Sequence, residues 1–169
     1  MTSLPRELRA RLQAVRLLCL DVDGVLTDGQ LYWSPGGIWS QRFCVRDGYG
    51  CKLLQELGVE IAILSGGDVR SGRDRAASLG ITRAYFGLAD KLAAFRDVIG
   101  ALGLQPEQAA YIGDELVDIP VLQVVGFSAT VPDAGDEVKQ AVHYVTTRPG
   151  GDGAVRELCD LIRAERAAG

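Results

Sequence analysis

The chain has 169 residues, 47% of them hydrophobic, and a formal net charge of −4. That is the size of one domain, long enough to bury roughly 70% of the surface its unfolded form exposes without disulfides to hold a core. The acidic balance offers no basic face for nucleic acid, and no apolar run approaches the ~20 residues that a membrane-spanning helix needs.

Residues 1–16 read as an N-terminal amphipathic helix. Their arginines alone would suit a transit peptide, but Glu7 and the immediate junction with an apolar strand favour the helix. Leu17 to Leu20 then run straight into Asp21 and Asp23, the pattern of a strand buried on both faces of a parallel sheet, with two acids at its carboxyl end. Side chains two apart on an extended chain point the same way, so both carboxylates can face one small volume, and Gly24 permits a sharp turn behind them. Residues 29–45 read as a β-hairpin turning at Ser34-Pro35-Gly36-Gly37. It gathers Tyr32, Trp33, Trp39 and Phe43, more aromatic surface than a lone ribbon can cover. Either it folds onto its own domain or another subunit covers it.

From Asp47 the period changes. A helix over 48–57 has Leu53, Leu54 and Leu57 on one face and ends at Gly58, and the strand VEIAIL breaks at Ser65-Gly66-Gly67. Helices follow over 68–79, 91–102 and 116–124, with strands at 83–86 and in AAYIGDE, then the strand GFSATV, a helix over 134–141, the strand HYVT and a last helix over 154–164 in the C-terminal tail 148–169. Strands alternating with three-turn helices predict one α/β domain over 1–169, a doubly wound parallel sheet covered on both faces. The four cysteines, Cys19, Cys44, Cys51 and Cys159, form neither a CxxC pair nor a disulfide framework and read as reduced thiols in the cytoplasm.

Ligands of such sheets bind beyond the carboxyl ends of the strands. Collected there are Asp21 and Asp23, Ser65 with Gly66 and Gly67, Lys91, and Asp114 with Glu115 and Asp118. Each alone has an ordinary reading as a turn, a surface lysine or a helix cap. Together, the carboxylates of Asp21, Asp23 and Asp114, a hydroxyl, an ammonium and amides at a helix N-terminus suit magnesium and a phosphoryl group. Asp21 would be the nucleophile of an aspartyl-phosphate mechanism and Asp23 the general acid and base.

In this order and at these strand ends, DVDGVLTDG, LSG, the lysine of ADK and GDELVDIP resemble the four motifs of the haloacid dehalogenase superfamily of phosphatases. RFCVRDGYG, RAASLGI, VGFSAT and GGDGAVRELCDLI are similar to its capless branch, typified by 3-deoxy-D-manno-octulosonate 8-phosphate phosphatase of lipopolysaccharide sugar synthesis, so the resemblance covers nearly all of residues 17–162. It implies that Asp23 also binds magnesium through its carbonyl, that Asp21 and Asp114 are metal ligands, that Ser65, Gly66 and Lys91 hold the phosphoryl group, and that Asp118 and Glu115 act from behind the ligands. It further implies a homotetramer in which hairpins pack together and a neighbour helps close each site. Only 41 residues separate Asp23 from Ser65, and hairpin, helix and strand use them all, so a cap domain has no room.

Two positions depart from that pattern. Glu115 stands where the fourth motif usually has a second aspartate, and Gly67 where the octulosonate enzymes usually have an arginine. A sugar-acid carboxylate then needs another cation, and Arg46, Arg70 and Arg156 are the candidates, Arg156 foremost because Gly150, Gly151 and Gly153 would give its segment freedom to close over a ligand. Alternative readings are a phosphatase for a nine-carbon keto-deoxy sugar acid phosphate and a catalytically silent tetramerisation module of the kind attached to sialic acid cytidylyltransferases. A signalling receiver domain fits less well, since its acidic pair is contiguous and this one is split by Val22.

Overall fold

An apolar run with no polar side chain is stable only where both its faces are covered, and β1 (Leu17–Leu20) is buried at every position. It pairs in parallel with β4 (Glu60–Leu64) on one side and β6 (Ala109–Ile112) on the other, Leu20 standing opposite Ile63 and Ile112. Outside these lie β5 (Arg83–Tyr85) and, on the far side, β7 (Phe127–Thr130) and β8 (Tyr144–Val145), giving the all-parallel order β5-β4-β1-β6-β7-β8. The chain winds outward from β1 through β4 and β5, then crosses back to wind outward through β6, β7 and β8. Strand order therefore reverses at β1, which opens a crevice beyond the carboxyl ends of β1, β4 and β6. The structure, a computed structural model, describes residues 4–168; residues 1–3 of the expected N-terminal helix and Gly169 lie outside them.

The helices α1 (Arg6–Ala14), α2 (Val45–Glu56) and α7 (Ala154–Ala168) pack side by side. Right-handed crossovers put α2 and α3 (Arg70–Ser78) on that face, and α4 (Lys91–Leu102), α5 (Ile119–Leu122) and α6 (Asp136–Gln140) on the other. The bounds of α4 match expectation because its ends are chemically marked: Asp90 accepts from the Ala93 N–H, and Gly103 takes a left-handed turn at φ 65°.

Elsewhere the structure corrects the sequence reading. The helix expected over 116–124 divides into a 3₁₀ turn, Leu116–Asp118, and the short α5. The leucine face expected for α2 is buried only in part: Leu54 is fully buried, but Leu57 is 46% exposed, and the rest of the packing face is Asp47, Gly48, Gly50 and Cys51. The cause is α7, which crosses so near that a Cβ on Gly50 would stand 3.0 Å from Arg156 Cδ and 3.1 Å from Cys159 Cβ, so small residues set the contact.

The hairpin is present, with β2 (Tyr32–Trp33) antiparallel to β3 (Trp39–Ser40) and Trp33 opposite Trp39, their rings 4.7 Å apart. A bridge between Thr27 and Phe43 ties its base to the domain. Leu31, Tyr32, Trp33, Ile38 and Trp39 nevertheless remain exposed, so the ribbon does not fold back onto its own core. Between Asp23 and Ser65 there is only this hairpin, α2 and β4, and no cap domain.

Candidate active site

Asp21 leaves β1 at its carboxyl end, 5% exposed, and both its oxygens are held: Oδ1 accepts from the Val22 N–H at 2.7 Å and Oδ2 pairs with Lys91 Nζ at 2.8 Å. Lys91 heads α4, where a lysine would ordinarily point to water, yet it is 4% exposed and also reaches Asp118 Oδ1 at 2.7 Å. Asp118 is fully buried. Its Oδ1 also accepts from the Tyr111 hydroxyl at 2.5 Å, and its Oδ2 from the N–H groups of Asp114 and Glu115 at 3.0 Å each. Donors thus occupy every lone-pair direction of this carboxylate, which braces the loop after β6 and leaves no oxygen to turn outward.

Asp114 is the opposite case. Its Oδ1 is buried without a partner among the described residues, and its Oδ2 lies against Gly24, where a Cβ would collide with it. Gly24 is required twice, for that approach and for its φ of 76°. Carboxylate oxygens of Asp21, Asp114 and Asp118 lie within 4.8 Å of one another. Burial, reinforced by the Asp118 charge, raises Asp21 against the pull of Lys91 and pushes Asp114 up to about 7. Burial lowers Lys91, but the charges of Asp21 and Asp118 more than offset it and leave the ammonium held above its usual range. Three acids around one ammonium leave an excess of negative charge that a cation neutralises.

Ser65 follows β4 directly, its N–H bonded to the Tyr85 carbonyl and its Oγ donating to the Gly67 carbonyl at 3.1 Å. Gly66 faces Lys91, whose Cε stands 3.9 Å from where a Cβ would be, and Gly67 faces Asp23. The helix expected from residue 68 begins at Arg70, since Val69 is extended at φ −102° and ψ 135°, so the amides after Ser65 belong to an open loop rather than to a helix N-terminus. Glu115 caps the turn behind it, accepting from the Leu116 N–H.

A family model of haloacid dehalogenase-like hydrolases matches residues 85–158. The 3-deoxy-D-manno-octulosonate 8-phosphate phosphatase of Yersinia pestis is 48% identical over 148 residues, 88% of this chain and 79% of the relative. This chain belongs to the haloacid dehalogenase-like phosphatases. The crystal structure of the Yersinia pestis phosphatase superposes with a TM-score of 0.93 at 44% identity, covering 96% of this chain and 88% of that one. That of the octulosonate phosphatase from Moraxella catarrhalis, in complex with magnesium, phosphate and the sugar acid, gives 0.92 at 35% identity over 95% of this chain and 92% of that one.

The residues of this phosphatase fit magnesium. Asp114 Oδ1 is an orphaned buried acceptor, Asp21 is its near neighbour, and hard carboxylate oxygens are what that ion takes. The arginines are less well placed than expected. Arg70 is 86% exposed and among the described residues pairs only with Asp74, while Arg46 and Arg156 line a cavity of about 880 Å³ that none of the site acids lines. Arg156 is occupied by Asp160 at 2.8 Å and lies over the Tyr49 ring. Nor do the glycines before it give freedom. A Cβ on Gly150 would strike the Gly24 carbonyl, one on Gly151 would strike Asp28, and Asp47 binds the N–H groups of Gly153 and Arg156 at 3.3 and 2.8 Å. Gly150 and Gly151 serve close packing against the Asp21–Asp28 loop. Sequence reasoning missed Asp47 and Tyr111, although a tyrosine inside an apolar strand signals a buried hydroxyl seeking a partner.

Proposed function

We propose that this phosphatase uses magnesium to release phosphate from 3-deoxy-D-manno-octulosonate 8-phosphate in the cytoplasm, for lipopolysaccharide sugar synthesis. The near full-length likeness to octulosonate phosphatases supports that substrate, and the buried Asp21–Lys91–Asp118 cluster beside the unpartnered Asp114 supports the chemistry. Asp21, Asp114 and the Asp23 carbonyl would hold the ion, which supplies positive charge against the phosphoryl oxygens. Asp21 attacks phosphorus, and the bond to the sugar oxygen breaks as Asp23 donates its proton to that oxygen. Asp23 then takes a proton from water, whose oxygen attacks phosphorus and frees Asp21. Lys91 favours the ionised form of Asp21 and orients it, and with the Ser65 hydroxyl and Gly66 N–H it receives the phosphoryl oxygens.

The carboxylate of the substrate falls to Arg70 in this proposal, ahead of Arg46 and Arg156. Arg70 stands in the first turn after Gly67, and its single exposed pair with Asp74, worth about 0–1 kcal/mol, is readily given up. The exposed hairpin supports a homotetramer in which a neighbouring copy covers Trp33 and Trp39. Phosphate release from a panel of sugar phosphates, nine-carbon keto-deoxy acids included, tests the substrate. Octulosonate 8-phosphate is expected to be turned over fastest, and a preference for a nine-carbon acid overturns that part. Asp21→Asn is expected to fold and release no phosphate; a tenth of wild-type turnover would exclude Asp21 as nucleophile.

A further inference from the structure

Asp23 is not part of the Asp21–Asp114–Asp118 cluster. Its Oδ1 accepts from the side-chain amide of Gln41 at 2.5 Å, and the Gln41 Oε1 accepts from the Ser71 hydroxyl at 2.9 Å. The orientation of the amide is dictated by its neighbours, since only its NH₂ can face a carboxylate, which leaves its oxygen for the one hydroxyl in reach. Gln41 follows β3 in the hairpin, and Ser71 lies in the first turn of α3. On its other side Asp23 Oδ2 lies over Gly67, where a Cβ would come within 2.5 Å of it, with no donor bonded to that oxygen among the described residues.

We infer that Gln41, backed by Ser71, is a positioning residue that selects Asp23 Oδ2 as the oxygen exchanging protons with the leaving group and with water. The inference rests on the proposed role of Asp23 as acid and base. An N–H donor on Oδ1 blocks protonation there, so the proton of the carboxylic acid sits on Oδ2. As the phosphorus–oxygen bond of the ester breaks and the Asp21 oxygen–phosphorus bond forms, that proton passes to the leaving oxygen. Without Gln41 the carboxyl group can rotate about its terminal bond and offer the wrong oxygen. The hairpin and α3 thereby reach the chemistry through one side chain.

An alkyl leaving group needs the proton, whereas a 4-nitrophenolate leaves readily without it, and kcat/KM reports the step in which the ester bond breaks. We therefore compare kcat/KM for the primary sugar phosphate that the wild type turns over fastest with that for 4-nitrophenyl phosphate. Gln41→Ala is expected to lose about 10- to 100-fold on the sugar phosphate and less than about threefold on the aryl ester. Ser71→Ala, a lighter change at a partly exposed position, is expected to show the same split at about two- to fivefold. Asp23→Asn serves as reference and should show the split most strongly. If Asp23→Asn loses equally on both substrates, Asp23 is not the acid and the underlying proposal fails. If Asp23→Asn shows the split but folded Gln41→Ala and Ser71→Ala lose equally on both substrates, or lose nothing, the positioning role is overturned while the role of Asp23 stands.

Discussion

Replacing Asp118 by asparagine keeps the shape of a fully buried side chain and changes its hydrogen-bond character. All four partners of Asp118, the Lys91 ammonium, the Tyr111 hydroxyl and the N–H groups of Asp114 and Glu115, are donors, whereas asparagine brings one acceptor and one donor group. Its best orientation keeps the oxygen on the two N–H groups and turns the NH₂ to Tyr111, whose hydroxyl can accept, but that sets NH₂ against Lys91. One charge-assisted bond worth about 1.5–3 kcal/mol is lost, and the two remaining amide bonds weaken by roughly half a kcal/mol each for want of a charged acceptor. Against this, the Asp118 charge no longer opposes ionisation of Asp21 and Asp114, a relief of about 1 kcal/mol. The loss wins by about 1.5–3 kcal/mol, or roughly 3–12 °C in Tm for a chain of this length. Urea unfolding in chelator at fixed protein concentration measures it, with an unchanged m-value showing that stability rather than compactness has moved. Asp118→Asn within about 0.5 kcal/mol of wild type would show that the buried donors do not depend on a charged acceptor, and the account of the brace would be wrong.

Asp114, raised by burial and neighbouring charge from an ordinary 3.8 to about 7, favours the fold fully below its ordinary value and loses that contribution as pH rises through about 7. The Tm gained on adding magnesium to chelated protein should accordingly be small near pH 4 and grow up to about pH 8; an increment independent of pH contradicts the reading. Gly150→Ala should lower stability by about 1–3 kcal/mol and reduce phosphatase turnover together, because its methyl group meets the backbone carbonyl of Gly24 in the Asp21–Asp28 loop; a Tm unchanged in a thermal melt rules out that contact. Replacing Trp33 and Trp39 by serine should lower the sedimenting mass, and a wild type that sediments as a monomer at micromolar concentration removes the basis for a shared interface.

The features legible in the sequence are those whose causes lie within a few residues. The apolar run before Asp21 requires a buried strand, Asp90 and Gly103 mark the two ends of α4, and acids placed just after apolar runs necessarily collect at one edge of a parallel sheet. Family likeness in the four motifs added the chemistry. Tertiary structure alone decided the contacts between segments far apart in the chain. Lys91 is buried because Asp21 and Asp118 neutralise it, Gln41 meets Asp23 only because the chain leaving β3 passes beside α3, and Gly50 sets the buried face of α2 because α7 crosses there. The glycines at 150 and 151 show the difference most plainly. In the sequence they suggest a loose segment, since glycine adds backbone freedom; in the fold the absence of a side chain is used for proximity, and the segment lies locked against the backbone of the Asp21–Asp28 loop.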